Sequence, residues 1–155
     1  MIRSYVIALI GLCTLFSCTQ GILVEEKWEW ENHQWLQGDR KTMTIEATDT
    51  TTAYQMELTL RHQETYPFQN LYVRTLITFP SGLKDTSVVS MELMDDKGNW
   101  DGDYGENCCK IKFPLQRKFT FPETGKYTWS IEPYMRIDTI QGVNSIRVTC
   151  RTFKE

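Results

Sequence analysis

The chain has 155 residues, with 17 Lys and Arg against 20 Asp and Glu and a net charge of −3. That length fits one domain with a short extra segment, and a composition 41% hydrophobic and 24% charged excludes wholesale disorder. No run of Lys and Arg is long enough to follow a phosphate backbone, which excludes nucleic acid as a partner.

Residues 1–17 read as a secretory signal peptide. Arg3 is the only charged side chain there, and residues 5–16 form a mostly apolar run of 12. That run is shorter than the ~20 residues a membrane-spanning helix needs. It ends in Leu15-Phe16-Ser17-Cys18, which resembles the lipobox of bacterial lipoproteins. The resemblance implies cleavage before Cys18 and acylation of that residue, with palmitate among the acyl chains. Two or three such chains hold a protein stably on a bilayer, at ~0.8 kcal/mol per buried CH₂. Removing 17 of the 155 residues leaves 138, and losing Arg3 takes the charge from −3 to −4. Residues 18–25 read as the lipidated Cys and a tether, and residues 26–155 as the folded domain.

Beyond the tether the hydrophobic period is two, the mark of half-buried strands. Trp28 with Trp30, and Met43 with Ile45, are weaker instances. After the polar residues 48–52, Tyr54, Met56, Leu58 and Leu60 alternate with Gln55, Glu57 and Thr59. Leu71, Val73, Ile77 and Phe79 follow, then Val89, Met91 and Leu93. Cys109, Ile111, Phe113 and Leu115 alternate with Lys110 and Lys112, and Phe119 with Phe121 reads as a short separate strand. Tyr127, Trp129 and Ile131, then Ile146, Val148 and Cys150, complete the series. Pro80-Ser81-Gly82, Lys97-Gly98-Asn99, Pro122-Glu123-Thr124-Gly125 and Gln141-Gly142 are turns between these runs. Seven to nine short strands and no helical period predict an all-β antiparallel sandwich, Ig-like or jelly-roll.

Chemistry-bearing motifs are sparse. There is no Gly-x-Ser-x-Gly elbow, phosphate-binding loop or His-Glu-x-x-His, so the chain reads as a non-enzyme with no cofactor and no metal. His62 reads as a polar residue at a strand end. Residues 95–106 are rich in Asp and Gly, a composition compatible with calcium, but the spacing fails the EF-hand pattern and a solvated loop is the favoured reading. Cys109 and Cys150 lie on the apolar parity of their strands. A disulfide there and three free buried thiols (with Cys108) are both open. Trp28, Trp30, Trp35, Trp100 and Tyr104 offer a sugar-stacking platform, hence an alternative glycan-binding reading, although aromatic residues on strands usually belong to the core.

Several spaced motifs together resemble the gliding motility lipoprotein GldH family of Bacteroidetes. They are Arg61-His62, Tyr66-Pro67-Phe68, Asn70-Leu71-Tyr72, Asp85-Thr86, the run from Asp96 to Gly102, Gly125-Lys126-Tyr127, Met135-Arg136 and Gln141-Gly142-Val143. The resemblance implies a cell-envelope lipoprotein of the gliding machinery, linked to type IX secretion. Its partners would be the lipid bilayer, through acylated Cys18, and other envelope proteins. No catalytic residue carries over. Tyr66, Pro67, Phe68 and Trp100 are the positions expected to touch a partner. No acidic residue immediately follows Cys18, which favours a periplasm-facing module, and Thr19 in place of Asp favours the outer membrane over the inner.

Overall fold

The computed structural model describes residues 21–105 and 108–154. The signal peptide and Cys18 lie outside the described residues, as does Glu106 of the acidic loop. Among the described residues the regular structure is strand: β1 (Ile22–Glu29), β2 (Gln34–Leu36), β3 (Lys41–Ala47), β4 (Tyr54–Gln63), β5 (Asn70–Thr78), β6 (Lys84–Glu92), β7 (Asp103–Gly105), β8 (Cys108–Phe119), β9 (Gly125–Pro133), β10 (Thr139–Gln141) and β11 (Val143–Thr152). One sheet has the order β1-β11-β4-β8-β7 and a second the order β3-β9-β5-β6, while β10 and β2 form a small pair. Every pairing is antiparallel. The two large sheets face each other as an antiparallel sandwich, the expected fold class.

Alternation explains the core. On β4, Tyr54, Met56, Leu58, Leu60 and His62 are all buried, with exposed or half-buried residues between them. Met43 and Ile45 of β3, Tyr127, Trp129 and Ile131 of β9, and Ile146, Val148 and Cys150 of β11 face the same interior. Each fully buried Leu or Ile contributes about 1.5–3 kcal/mol. The β2–β10 pair closes one end with Trp35 and Ile140, both fully buried. Trp35 Nε1 donates to the Asp39 carbonyl (2.9 Å), and Trp30 Nε1 to Asp39 Oδ2 (2.9 Å), so both indole N–H groups are satisfied in the interior.

Three expectations need correction, and one open alternative is decided. First, β1 begins at Ile22, so residues 22–25 are sheet and not tether; they pair with β11. A register shift between Ile22 and Val24 breaks the alternation that would have marked the strand. Second, Phe119 is the last residue of the 12-residue β8 and not part of a separate strand. Third, β2, β7 and β10 are additional strands of three residues each, too short to show a period. Of the two thiol alternatives left open, the structure shows the free one: Cys109 and Cys150 are not bonded, and with Cys108 they are buried. Cys109 pairs with His62 and Cys150 with Met56, on opposite sides of β4 and six positions apart along it. At ~3.3 Å per residue that is about 20 Å, far beyond the ~4.4–6.8 Å between Cα atoms that a disulfide spans.

Candidate functional site

The predicted contact residues converge at one end of the sandwich, around the β4–β5 connection. His62 closes β4 and is fully buried. Its Nδ1 lies 2.9 Å from the Gln63 carbonyl. A carbonyl only accepts, so Nδ1 carries the proton of the neutral ring and Nε2 is left as an acceptor. Nε2 is buried without a partner. The Trp100 ring meets the imidazole edge-on at 4.6 Å, and Tyr66 lies 5.4 Å away. Burial disfavours the imidazolium and lowers the His62 pKa, against a smaller opposing effect of the Gln63 carbonyl.

Tyr66 is 3% exposed. Its hydroxyl donates to the Asn70 carbonyl (3.0 Å), and burial pushes its pKa up. Tyr66, expected to touch a partner, is buried within the fold, and its ring packs there as a wedge. It sits against the β10–β11 turn, where a Cβ on Gly142 (φ 83°) would lie 3.1 Å from the Tyr66 Cα. Pro67 is exposed, while Phe68 and Trp100 are half-buried against the core. The Phe68 ring stands edge-on to Tyr66 at 5.8 Å.

Phe68 also lines an apolar groove of about 730 Å³ with Tyr72, Val88, Tyr134, Met135 and Ile137. Tyr72, Val88 and Tyr134 are exposed large hydrophobic residues. On the outward face of β9 lies Glu132, which is nevertheless only 4% exposed. Arg40 Nε donates to its Oε2 (2.9 Å) and Arg74 Nε to its Oε1 (2.6 Å). These bonds, that from Arg40 foremost, hold the carboxyl below the usual range against the opposing effect of burial. Arg74 in turn lies 5.2 Å over the Tyr134 ring. None of Glu132, Arg74, Tyr72 or Tyr134 stood out in the sequence as a site residue. The one local signal is that β9 loses its alternation at its end, where Ser130 through Pro133 are all buried.

The outer face of the five-stranded sheet carries a second, charged groove of about 670 Å³. There Arg147 pairs with Glu25 (3.0 Å), and Arg151 and Lys112 approach Glu57 at 3.7 and 4.0 Å. The acidic loop is organised by its own side chains. Asp95 Oδ1 accepts from the backbone N–H groups of Lys97 (2.8 Å) and Asn99 (2.9 Å), and Oδ2 from Asn99 Nδ2 (2.9 Å). The bond from the Asn99 side chain contributes most to holding its pKa low. Among the described residues no group of three His, Cys, Asp or Glu is placed to hold a metal ion.

The proposed sugar platform does not assemble. Trp30 and Trp35 are buried, Trp28 and Trp100 pack against the core, and of the five only Tyr104 is an exposed ring. Its hydroxyl donates to the Trp100 carbonyl (2.7 Å). Trp30 and Trp35 lie at the closed end, with their ring centroids 4.9 Å apart.

A sandwich with an open apolar groove on one sheet and a charged one on the other belongs to the class of all-β antiparallel modules. A family model described as GldH lipoprotein matches residues 23–149, and the chain belongs to that family. It is 27% identical over 123 residues to "Gliding motility lipoprotein GldH homolog" of Christiangramia forsetii, covering 76% of each chain. It is 22% identical over 152 residues to "Gliding motility lipoprotein GldH" of Flavobacterium johnsoniae, covering 94% of each. Among solved structures it is similar to "CBM35 from Cellvibrio japonicus Abf62", at 16% identity and a TM-score of 0.36, covering 89% of this chain and 94% of that one. A second CBM35, "Xyl-CBM35 in complex with glucuronic acid containing disaccharide", is 15% identical with a TM-score of 0.36, covering 90% and 96%. Similarity at that level says nothing about a shared ligand.

Proposed function

We propose that this chain is a membrane-anchored envelope lipoprotein serving the gliding motility machinery, linked to type IX secretion, and that it acts by contact with other envelope proteins and not by catalysis. The family match over 23–149 supports this reading, because it takes in strands of both large sheets and every residue lining the apolar groove. Acylated Cys18 anchors the module, facing the periplasm from the outer membrane. Pro67, Phe68 and Trp100 belong to the contact end, and the adjoining groove of Phe68, Tyr72 and Tyr134 takes apolar side chains of the partner.

The test replaces the native gene with Cys18→Ala, or with Phe68→Ala combined with Tyr72→Ala. Spreading is read in a gliding host, and envelope secretion in a non-gliding one. Both variants should impair the readout while the folded domain still accumulates. Normal behaviour of both variants in both hosts would sink the proposal.

A further inference from the structure

Strand β6 is the outer strand of its sheet and pairs only with β5, in one unbroken register over nine residues. Two side-chain contacts reveal which backbone groups face its open edge. The Thr86 N–H is taken by Asp85 Oδ1 (2.8 Å) and so turns away from β5. The Ser87 carbonyl accepts from Thr75 Oγ1 of β5 (3.4 Å) and so turns toward it. Antiparallel strands alternate these directions, so Thr86, Val88 and Ser90 present N–H and C=O groups at the edge. Natural edges are blunted by Lys, Pro, bulges or short length. From Thr86 to Ser90 this edge has none of these, and Val88 at its centre is 50% exposed.

The side-chain pattern of β6 is complementary to itself. An antiparallel pairing centred on Val88 sets Val88 against the partner's Val88, Thr86 against the partner's Ser90, and Lys84 against the partner's Glu92. All six side chains lie on the outer face, because directly opposed residues in a ladder share a face. We infer that β6 pairs with β6 of a second copy of this chain, joining the two four-stranded sheets into one continuous sheet of eight. The interface is isologous, so both Lys84–Glu92 contacts form together. Asp85 releases the Thr86 N–H as the ladder closes. The two-fold axis runs normal to the sheet, so both copies turn their five-stranded sheets the same way. Both β1 starts then face one side, as two anchors in a single bilayer require. β1 stacks beside β3, at the far edge from β6, which leaves the seam clear.

The experiment uses the mature lipoprotein in liposomes, with single substitutions Val88→Cys, Thr86→Cys and Ser90→Cys, and Thr44→Cys on exposed β3 as the control. The native thiols Cys108, Cys109 and Cys150 are buried. A short bis-maleimide should crosslink Val88→Cys at least tenfold more than Thr44→Cys. Thr86→Cys mixed with Ser90→Cys should crosslink better than either alone. Lys84→Glu sets Glu against Glu twice and should weaken Val88→Cys crosslinking on the order of tenfold, and adding Glu92→Lys should restore it. Circular dichroism checks that each variant keeps its strands. Crosslinking of Val88→Cys no better than the control, or Thr86→Cys alone matching the mixture, overturns the pairing. So does a Val88→Cys adduct in cells that contains only a different protein.

Discussion

Tyr66 offers the sharpest test, because its sequence context suggested a surface contact and its burial assigns it to structure. Truncation to Ala removes a ring that is 3% exposed. A buried Tyr removes about 200 Å² from water, which at ~25 cal/mol/Å² is about 5 kcal/mol. A compact denatured chain already hides part of that area, which lowers the figure to about 3 kcal/mol. Loss of edge contacts to His62, Phe68 and Trp100 keeps it from falling further. Tyr66→Ala should therefore destabilise by about 3–4 kcal/mol, or about 10 °C in melting temperature for a domain of this size. Tyr66→Phe keeps the ring and removes only the bond to the Asn70 carbonyl, and should cost about 1 kcal/mol. Urea titration of both variants measures these values, with an unchanged m-value showing that cooperativity is kept. A Tyr66→Ala protein within ~0.5 kcal/mol of wild type that nevertheless loses its cellular function would refute the burial argument and return Tyr66 to the contact surface.

Three further outcomes follow from the same geometry. Burial depresses the His62 pKa below its ordinary 6.5, so the unfolded chain takes up the proton first. Stability is then full above about pH 6.5 and declines as pH falls below it, and His62→Gln should flatten the fall in melting temperature between pH 8 and 5; an equal slope in both proteins would refute it. In the fold the three thiols should react slowly with a thiol reagent, Cys150 most slowly because burial pushes it up to about 12, and in urea all three should react. A count of one reactive thiol in urea would contradict the register of β4. Gly142→Ala combines a left-handed backbone with a 3.1 Å approach to the Tyr66 Cα and should cost about 1–2 kcal/mol by urea titration, whereas Gly98→Ala, with open space around it, should cost only the backbone strain.

The strands were legible wherever one face meets the core. Tyr54 to Leu60 and Tyr127 to Trp129 alternate because the sandwich covers one side only, so period two and burial coincide. The start of β1 was not legible, because its register shift places Leu23 and Val24, successive residues, both half-buried. The choice between a disulfide and free thiols was not legible for a different reason. Parity tells which face Cys109 and Cys150 occupy, but not that β4 stands between their strands. The Glu132 ion cluster lay furthest from local reading, since Glu132 finds its partners 58 and 92 residues away in the chain. Around Tyr66 and Trp100 the motif did mark one region of the fold. Exposure then divided it into a wedge and a rim, which spacing alone does not encode.

The early start of β1 governs how the module meets its surroundings. With Cys18 acylated as proposed, only Thr19, Gln20 and Gly21 separate the anchor from the first strand residue. Fully extended, that leash reaches about 14 Å, roughly the radius of gyration of a domain this size. A body on so short a leash rolls along the bilayer and does not swing out from it. Its encounters are confined to a thin layer next to the lipid, and a partner on a distant structure must send a segment down to the membrane to meet it.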